Sequence, residues 1–490
     1  MRTCCLLLLA LIALPHVAHA GDDEPATDGE SPPAEEAPAD PAPADDPPAE
    51  APPPIVEEVP PTVEEVPPTV EEVPSPEPPP APAAEAPACA HCAHQGPAGP
   101  PPPPKPLFSA MVQERARVEF VSNKDFAGPP DGRMKIGNRI RAGLGMTLGP
   151  VRVFAQVQDV RTWGSEVNPA NGGEGTLFDY SANNLDMHQG YGEVISPFGL
   201  SFRLGRQEID WHGQRLIGAV AWTDQARSFD AARLVYSGDN AGAEVFYALM
   251  LDRPTSATDT ALVLEDQHLV AVRGGPRIGD ALLLDGVAIL RIDNLAGERL
   301  ATVGAYATGK AGPFAYEAEG YFQGGARGAS SIAAFLVGVR AGATLHKDAG
   351  LYIGGGVDLV SGDSDPTDTL VGTFDTLYGT NHKFYGHFDR YLNLPVHTGG
   401  AGLVDGLFRV KVAPGGKVVV SNDLHVFGAM NPAAGADGFH GVEWDVDLTV
   451  KIVKGLSAGA GLWTYFPGGW YGAGATPEFG SYAMANFLLN

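Results

Sequence analysis

The segment Val442-Glu-Trp-Asp-Val-Asp-Leu-Thr-Val450 decides the fold class of this chain. Every second residue is apolar, and the residues between them are acidic or threonine. A period of two places the two sets on opposite faces of a β-strand, so one face suits an apolar environment and the other suits water. The apolar face consists of Val442, Trp444, Val446, Leu448 and Val450.

The same alternation recurs in Lys135–Leu144, Val151–Val157 and Phe408–Val412. Each of these segments carries arginine on its polar face, namely Arg139 and Arg141, Arg152, and Arg409. A soluble sandwich would alternate in the same way, with its apolar faces meeting in one core. Alternation alone therefore leaves open which face is inside.

The first twenty residues have the layout of a secretory signal. An apolar run follows Met1-Arg2, and Ala18-His-Ala20 precedes Gly21, so we expect export and cleavage after Ala20. The run is too short for a membrane anchor, because a spanning helix needs about 20 apolar residues. No other segment has 18 uninterrupted apolar residues, so the sequence predicts no membrane-spanning helix.

Export, abundant glycine and tryptophans near the ends of the alternating segments favour an outer-membrane barrel over a sandwich. At about 20 residues for a strand and its connection, residues 107–490 predict roughly 16 to 20 strands. A barrel of this size encloses an aqueous lumen. The tryptophans are Trp163, Trp211, Trp222, Trp463 and Trp470.

Residues 21–106 differ sharply in composition from the rest of the chain. They contain 29 of the 44 prolines and 19 of the 59 acidic residues, with Lys105 as the only basic residue, for a net charge of −18. A unit of the type Thr-Val-Glu-Glu-Val-Pro-Pro repeats three times between Ile55 and Ser75. Proline in every repeat blocks a helix, so we expect a disordered, extended periplasmic arm. The arm is a solvated tail or a recognition segment.

Two cysteines and two histidines near the end of this arm have spacing that suits a metal ion. In an oxidising compartment the two cysteines would instead form a disulfide, or the cluster would have no ordered chemistry. The candidate ligands are Cys89, His91, Cys92 and His94.

Charge and motifs exclude several classes of function. The net charge of −27 argues against nucleic-acid binding, which requires clustered Lys and Arg. The sequence contains neither a Gly-x-Ser-x-Gly nucleophile motif nor a His-Glu zinc motif. We therefore expect no enzyme and no cofactor.

Two stretches resemble a known family. Residues 202–234 contain Phe-Arg-Leu-Gly-Arg-Gln and Arg-Ser-Phe-Asp, which resemble the Gly-Arg-Gln and Arg-Thr/Ser-Phe-Asp signature of the alginate-export family of outer-membrane barrels. Residues 361–389 resemble the family's later block of Gly-Asp, Phe-Asp and His-Lys-Phe-Tyr-Gly. The resemblance covers 107–490, whereas the acidic arm lies outside the family pattern.

The resemblance implies an all-β fold, a large antiparallel transmembrane barrel of about 18 strands, whose lumen carries an arginine-rich path for an acidic polysaccharide. Guanidinium groups suit such a path because they bind carboxylates in bidentate fashion and stay charged. The same charges would alternatively pair across strands and stabilise the wall. The candidate path residues are Arg139, Arg141, Arg152, Arg203, Arg206, Gln207, Arg215, Arg227, Asp230 and Arg233.

Two details of the motifs stay open. Strict alternation would put Arg203 and Arg206 on opposite faces, so either Gly205 marks a β-bulge or one arginine lies at a membrane rim. His382 and Lys383 would meet an anionic ligand or pack at the barrel mouth for structural reasons.

The sequence thus predicts a signal peptide (1–20), a disordered arm (21–106) and an outer-membrane barrel (107–490). We expect a passive channel for an anionic polysaccharide or another anionic solute, in contact with outer-membrane lipid. The alternative is a structural barrel that its arm tethers to the cell wall or to another periplasmic partner.

Overall fold

The structure is a computed structural model that describes residues 107–122, 132–163, 166–167, 175–176, 185–251 and 266–490. The predicted signal peptide, the acidic arm and the Cys89–His94 cluster lie outside the described residues.

Eighteen long strands dominate the described chain. They are β1 (Phe108–Val121), β2 (Arg133–Leu148), β3 (Val151–Thr162), β4 (Leu185–Ile195), β5 (Leu200–Gln207), β6 (Phe229–Ser237), β7 (Ala241–Leu251), β8 (Gln267–Ile278), β9 (Leu282–Asp293), β10 (Glu298–Ala311), β11 (Phe314–Arg327), β12 (Ser330–His346), β13 (Leu351–Val360), β14 (Leu403–Val412), β15 (Val418–Gly428), β16 (Phe439–Val453), β17 (Leu456–Pro467) and β18 (Glu478–Leu489).

These strands form one closed antiparallel barrel. Each strand pairs with its neighbours in sequence. The last strand returns to the first, and the pairs of β1 with β18 run from Val112 with Leu489 to Val121 with Gly480. Closure satisfies the backbone of every long strand and leaves no free edge, which is what a sheet in lipid requires. The predicted barrel of about 18 strands is confirmed.

The alternating residues of each strand face opposite sides of the barrel wall, with apolar residues outside and most charged residues inside. On β16, Trp444 is 49% exposed on the outer face, whereas its neighbours Glu443 and Asp445 are buried inside. On β2, Arg139 and Arg141 point inward and are buried. The barrel therefore has an apolar exterior and a charged interior, the reverse of a soluble sandwich.

The two ends of the barrel differ. Connections of two to five residues, such as 149–150 and 413–417, join the strands at one end, which we call the short-turn end. Residue 107 and the C-terminus lie at this same end, because β1 starts there and β18 ends there. The opposite, long-loop end carries the connections 208–228 and 361–402. Outer-membrane barrels place short turns in the periplasm and long loops outside the cell.

Minor elements complete the described chain. Glu166–Val167 pairs with Gly175–Thr176, and Leu370–Val371 pairs in parallel with β12. Short 3₁₀ turns span His212–Gln214, Asn381–Lys383, Pro414–Gly416 and Gly469–Tyr471, and one α-helical turn spans Leu394–His397. The helical elements of the described residues are thus at most four residues long, too short to cross a membrane.

The two longest described connections fold into the lumen. We call residues 208–228 the first infolded segment and residues 361–402 the second infolded segment. Trp211 and Phe374 are almost completely buried in these segments, and they belong to one aromatic core that includes Phe246 and Phe427 of the wall. The hydrophobic core therefore sits inside the barrel, between the wall and the two segments.

Three of the tryptophans near the ends of alternating segments lie inside the barrel and not on its outer face. Trp211 and Trp222 lie in the first infolded segment, and Trp463 points inward from β17, where it is 4% exposed. Only the exterior meets lipid, so a tryptophan on the inner face cannot act as an interfacial anchor. Trp163, at the end of β3, is 60% exposed.

Candidate functional site

One end of the first infolded segment is held by three arginines of β1 and β2. Arg115 donates hydrogen bonds of 2.8 to 3.1 Å to three carbonyl oxygens within residues 221–224. Arg117 donates to one of the same carbonyls at 2.6 Å, and Arg139 donates at 3.2 and 3.3 Å. Bonds from charged donors are stronger than neutral ones, so this cluster fixes the backbone of the segment against the wall.

Asp224 supplies the counter-charge to this cluster. Its carboxylate accepts hydrogen bonds from Arg115 at 2.9 Å and from Arg117 at 3.2 Å, and it contacts Lys135. Burial raises the pKa of Asp224, but Lys135 and Arg117 outweigh this effect and hold the pKa below its ordinary value. The carboxylate therefore stays ionised.

The other part of the segment is fixed through Arg215, whose side chain is completely buried. It donates to Glu319 of β11 at 2.6 Å, to Asp358 of β13 at 2.8 Å and to the Tyr385 hydroxyl at 2.8 Å. The guanidinium also lies 3.5 Å from the centre of the Phe384 ring. Complete burial lowers the pKa of an arginine, but Asp358 and the other partners hold the pKa of Arg215 well above its ordinary value.

These two anchorages lie on opposite walls. β2 and β11 are nine strands apart in a ring of eighteen, so they face each other across the lumen. The first infolded segment contacts β1 and β2 through residues 221–224 and contacts β11 and β13 through Arg215. It therefore crosses the lumen from wall to wall and narrows it.

The second infolded segment docks on acidic residues of β16. The backbone N–H of Phe388 donates to Glu443 at 2.6 Å, and that of His387 donates to Asp445 at 3.3 Å. The His387 imidazole lies 2.8 Å from Asp447. Burial lowers the pKa of His387, but the hydrogen bond to Asp447 and the charge of Asp445 outweigh it and raise the pKa to about 9. His387 is therefore cationic at neutral pH.

Stacked rings join the two infolded segments. Trp222 stacks on His382 with ring centres 4.5 Å apart, and His382 stacks on His387 at 5.0 Å. The Arg117 guanidinium lies 4.4 Å from the centre of the Trp222 ring. The two segments thus form one packed unit inside the barrel.

A cavity of about 780 Å³ lies beside the first infolded segment, lined by inward-facing residues of β3 to β9. Arginine and acidic side chains follow each other around the cavity wall and form ion pairs. Arg152 is 3.8 Å from Glu193, Arg203 is 2.9 Å from Glu193, and Arg233 is 2.7 Å from Glu244. Further along, Arg273 pairs with Glu244 at 2.8 Å and with Asp285 at 3.2 Å.

We call these paired charges, from Arg152 to Asp285, the charged belt. Within the charged belt two arginines stand directly opposite each other. Arg203 of β5 and Arg233 of β6 are cross-strand partners, and their acids, Glu193 and Glu244, lie on the outer sides of the pair. The buried Nε of Arg203 has no hydrogen-bond partner among the described residues. Arg203 also lies 4.1 Å from the centre of the Tyr191 ring. The two guanidiniums can therefore converge on a carboxylate in the cavity.

The predicted path residues occupy three different environments. Arg152, Arg203 and Arg233 line the cavity together, whereas Arg139 and Arg141 hold the first infolded segment, Arg139 through the Ala221 carbonyl and Arg141 through the Glu208 carboxylate. Inside the barrel, Gln207 donates to the carbonyls of Gly205 and Ala231, and Arg227 of the first infolded segment donates to the Gly218 and Tyr378 carbonyls. Arg215 is completely buried and acts as a hub that joins the first infolded segment to Glu319, Asp358 and Tyr385.

Arg206 and Asp230 lie on the outer face of the barrel, away from the lumen. Arg206 donates two hydrogen bonds to Asp230, at 2.9 and 2.8 Å, near the long-loop end of β5 and β6. The registers of β5 with both neighbours run without interruption, so Gly205 marks no bulge and alternation alone turns Arg206 outward. The structure therefore places this pair at the rim, outside any path through the lumen.

The two predicted loop contacts, His382 and Lys383, also lie in different environments. The His382 ring is buried in the stack with Trp222, and its Nδ1 lies 2.6 Å from Asp389. Lys383 is exposed. His382 thus has a packing role in this structure, and Lys383 alone is accessible.

Sequence reasoning missed several residues of the site. Arg115 and Arg117 anchor the first infolded segment, and Arg273 joins the charged belt. The signal for the first two was present, because Arg115-Ala-Arg117 is the same two-residue spacing that identified Arg139 and Arg141. Two acidic residues of the site were missed as well, namely Glu244, which pairs with Arg233 and Arg273, and Asp358, which pairs with Arg215. Each is the only charged residue of a glycine-containing, mainly apolar strand and carried no such signal.

The comparisons with known proteins agree with this fold. The family model described as "Alginate export" matches residues 108–396. The chain is similar in structure to OccAB4 of Acinetobacter baumannii, with 11% identity, 79% of this chain and 100% of that chain covered, and a TM-score of 0.52. It is similar to OpdO of Pseudomonas aeruginosa, with 14% identity, 78% and 97% covered, and a TM-score of 0.52.

A third similar structure is a BenF-like porin from Pseudomonas fluorescens, with 11% identity, 78% and 98% covered, and a TM-score of 0.51. At these identities the likeness shows the shared barrel fold alone. No protein of curated function shows significant sequence similarity to the chain.

Proposed function

Because the chain belongs to the alginate-export family, and is thus an outer-membrane channel protein, we propose that it is a passive conduit for an anionic polysaccharide or another anionic solute. The path runs through the charged cavity of β3 to β9 and past the first infolded segment. Passive diffusion requires only a continuous aqueous route and favourable contacts along it, so the charge on that route selects the cargo.

The observation that carries this proposal is the facing pair of Arg203 and Arg233. Both side chains line the cavity, and each is neutralised from its far side by Glu193 or Glu244. A carboxylate that enters between them meets two planar guanidinium groups that remain charged at any physiological pH. Tyr191 and Phe154 add ring surfaces to the same cavity, which suits the apolar faces of sugar rings.

The belt is close to neutral overall, so the proposal depends on position and not on net charge. Weak, distributed binding suits a conduit, since cargo must enter and also leave. A solute carrying several carboxylates can exchange one arginine for the next along the belt from Arg152 to Arg273. A cationic solute would meet acids already paired with arginine.

Planar-bilayer recording of the full chain tests this function. The double substitution Arg203→Gln with Arg233→Gln should shift the reversal potential in a KCl gradient toward cation selectivity and should abolish block by added polyuronate. Arg206→Gln is the matched control, because it removes an arginine of the same strand from the outer face. Cation selectivity of the unaltered channel, insensitive to polyuronate, would refute the anionic cargo. Complete absence of current would favour the tethered structural barrel.

A further inference from the structure

An apolar groove lies on the outer face of the barrel, near the short-turn end. It has a volume of about 520 Å³ and crosses β11, β12, β13 and β14. Tyr316 and Phe408 flank the groove, and Ala341 and Gly355 form part of its floor. These four residues are successive cross-strand partners, so they form one row on the same face of the sheet. The groove therefore exists because large side chains end the row and small residues occupy its middle.

A second row of residues continues the groove toward the turns. Phe314 pairs with Ala343, and Ala343 pairs with Ile353. All three residues line the groove, and Phe314 is the first residue of β11. The groove thus reaches the boundary between the lipid-facing wall and the turns of the short-turn end.

The wall beneath the groove has few side chains of its own. β13 contains three consecutive glycines, residues 354 to 356. On the inner face the Tyr352 ring covers this part of the wall, because a Cβ added at Gly342 or Gly354 would lie 2.2 or 2.5 Å from its hydroxyl oxygen. On the outer face the atoms nearest to a Cβ added at Gly355 belong to the backbone of the neighbouring strand. Atoms that pack on this side therefore come from outside the barrel.

Two turns that carry lysine border the groove. The turn between β12 and β13 contains Lys347, and the turn between β14 and β15 ends at Lys417. A hydrogen bond of 2.9 Å from the Ala413 N–H to the Ala349 carbonyl joins the two turns. Both lysines are exposed, and neither forms an ion pair with another residue that the structure describes. Two free ammonium groups thus lie next to each other at the end of an apolar groove.

Positive charge is confined to one side of the short-turn end. The four turns between residues 312 and 455 carry three lysines and one acidic residue, Asp348. The turns between β6 and β7 and between β8 and β9 carry Asp239 and Asp280 and no basic residue. An anionic headgroup is therefore favoured beside the groove and disfavoured at these two acidic turns.

We propose that the groove and its two lysine turns bind one anionic phospholipid of the leaflet that faces the periplasm. An acyl chain lies between Tyr316 and Phe408, and the phosphate contacts the ammonium groups of Lys347 and Lys417. The spacing fits this arrangement, because Leu345 on β12 is 62% exposed and Lys347 follows two residues later. Apolar surface and cationic surface thus meet at the level where a phospholipid changes from chain to headgroup.

The selectivity of this site has two sources. Inside a membrane the groove gains no hydrophobic driving force, because lipid chains are as apolar as the groove itself. Close packing of a chain over the glycine-rich wall holds any phospholipid, and the lysines select for negative charge on the headgroup. The site is on the outer face of β11 to β14, so it is separate from the arginine cavity of β3 to β9.

Native mass spectrometry of the full chain tests the site, because it counts the lipids that stay bound after the detergent is removed. Phosphatidylglycerol and phosphatidylcholine with identical acyl chains serve as the probes. We expect one molecule of phosphatidylglycerol to be retained, with a preference over phosphatidylcholine of at least about tenfold. Equal retention of the two lipids would overturn the proposal.

Two variants separate the contribution of the groove from that of the turns. Ala341→Phe fills the floor of the groove and should lower the retention of both lipids. The double substitution Lys347→Gln with Lys417→Gln should leave the chain in place and abolish the preference for phosphatidylglycerol. Unchanged retention and preference in both variants would overturn the proposal.

Matched controls come from the opposite end of the barrel. Ala333→Phe places the same ring on the outer face of the same strand, toward the long-loop end, and Lys383→Gln removes an exposed lysine there. Both controls should retain phosphatidylglycerol as the unaltered chain does. The same spectra report any dimer. A dimer that Ala341→Phe dissociates, with lipid retention unchanged, would assign the groove to a second copy of the chain and also overturn the proposal.

Discussion

Arg215 of the first infolded segment and Asp358 of β13 form a buried ion pair, with 2.8 Å between guanidinium nitrogen and carboxylate oxygen. The two side chains are 0% and 1% exposed and lie 143 residues apart in the sequence. Glu319 and Tyr385 complete the surroundings of the guanidinium. The pair thus links the segment, the barrel wall and the second infolded segment at one point.

We expect Arg215→Met to release the first infolded segment from the β11–β13 wall. The substitution leaves Glu319 and Asp358 buried with less counter-charge, and removing one partner of a buried pair costs about 3–5 kcal/mol. Urea unfolding in lipid vesicles should show a lower midpoint. Arg206→Gln is the control, since its exposed pair with Asp230 should contribute at most about 1 kcal/mol. Equal effects of the two variants would contradict the hub role of Arg215.

Asp224→Asn should loosen the opposite anchorage and widen the lumen. The carboxylate neutralises the buried Arg115 and Arg117, and the loss of a hydrogen bond to a charged group costs about 1.5–3 kcal/mol. Single-channel conductance should rise and become noisier, because residues 221–224 move away from β1 and β2.

The matched control is Asp159→Asn, which removes a carboxylate from the partly exposed pair with Arg161 on the outer face of β3. This variant should conduct like the unaltered channel. Unchanged conductance in Asp224→Asn would show that the segment stays in place without its counter-charge.

The docking of the second infolded segment should weaken at alkaline pH. The pKa of His387 is raised to about 9 in the folded state, chiefly by Asp447 against the opposing effect of burial, while an unfolded histidine titrates near about 6.5. The ion pair therefore contributes its full stability below about pH 6.5 and loses it as the pH rises through about 9. At about 1.4 kcal/mol per pKa unit, the difference between about 6.5 and about 9 corresponds to at most about 3.5 kcal/mol.

Hydrogen-exchange protection of amides in residues 361–402, corrected for intrinsic rates, should fall between pH 6.5 and pH 9.5. In His387→Gln the protection should be lower at pH 6.5 and should change less with pH. If the variant keeps the full pH dependence of the unaltered protein, another group controls the docking.

Gly205→Ala should destabilise β5 although the added methyl group is small. Gly205 has a φ of +124°, and an added Cβ would lie 2.3 Å from the Gly190 carbonyl oxygen. Backbone strain of this kind costs about 1–3 kcal/mol. Gly192→Ala on the neighbouring strand is the control, because nothing lies within 4 Å of its added Cβ. Thermal unfolding should separate the two variants, and equal midpoints would refute the strain.

The barrel was predictable from sequence because alternation is local. Arg139 and Arg141 point inward, as the spacing of β2 indicated, and Trp444 points outward from β16. The two infolded segments were not predictable in this way. Trp211 and Trp222 have no periodic pattern, and what buries them is contact with Glu244, Arg117 and His382, far away in the sequence.

The residues of the candidate site were likewise predictable only where they lie on regular strands. The inward positions of Arg152, Arg203 and Arg233 follow from strand register, whereas the roles of Arg215 and Arg227 depend on where a non-periodic segment folds. Arg206 shows the limit of a motif, since a residue within the Gly-Arg-Gln signature faces outward. Motif membership alone does not say on which side of a wall a residue lies.

A segment fixed to opposite walls also acts as a mechanical strut. Flattening the cylinder would push β2 toward β11 or pull them apart, and either deformation must break the bonds of Arg115 and Arg117 at one end or those of Arg215 at the other. The barrel should therefore keep a round cross-section under the lateral pressure of the bilayer, even though its lumen is wide enough to hold two folded segments.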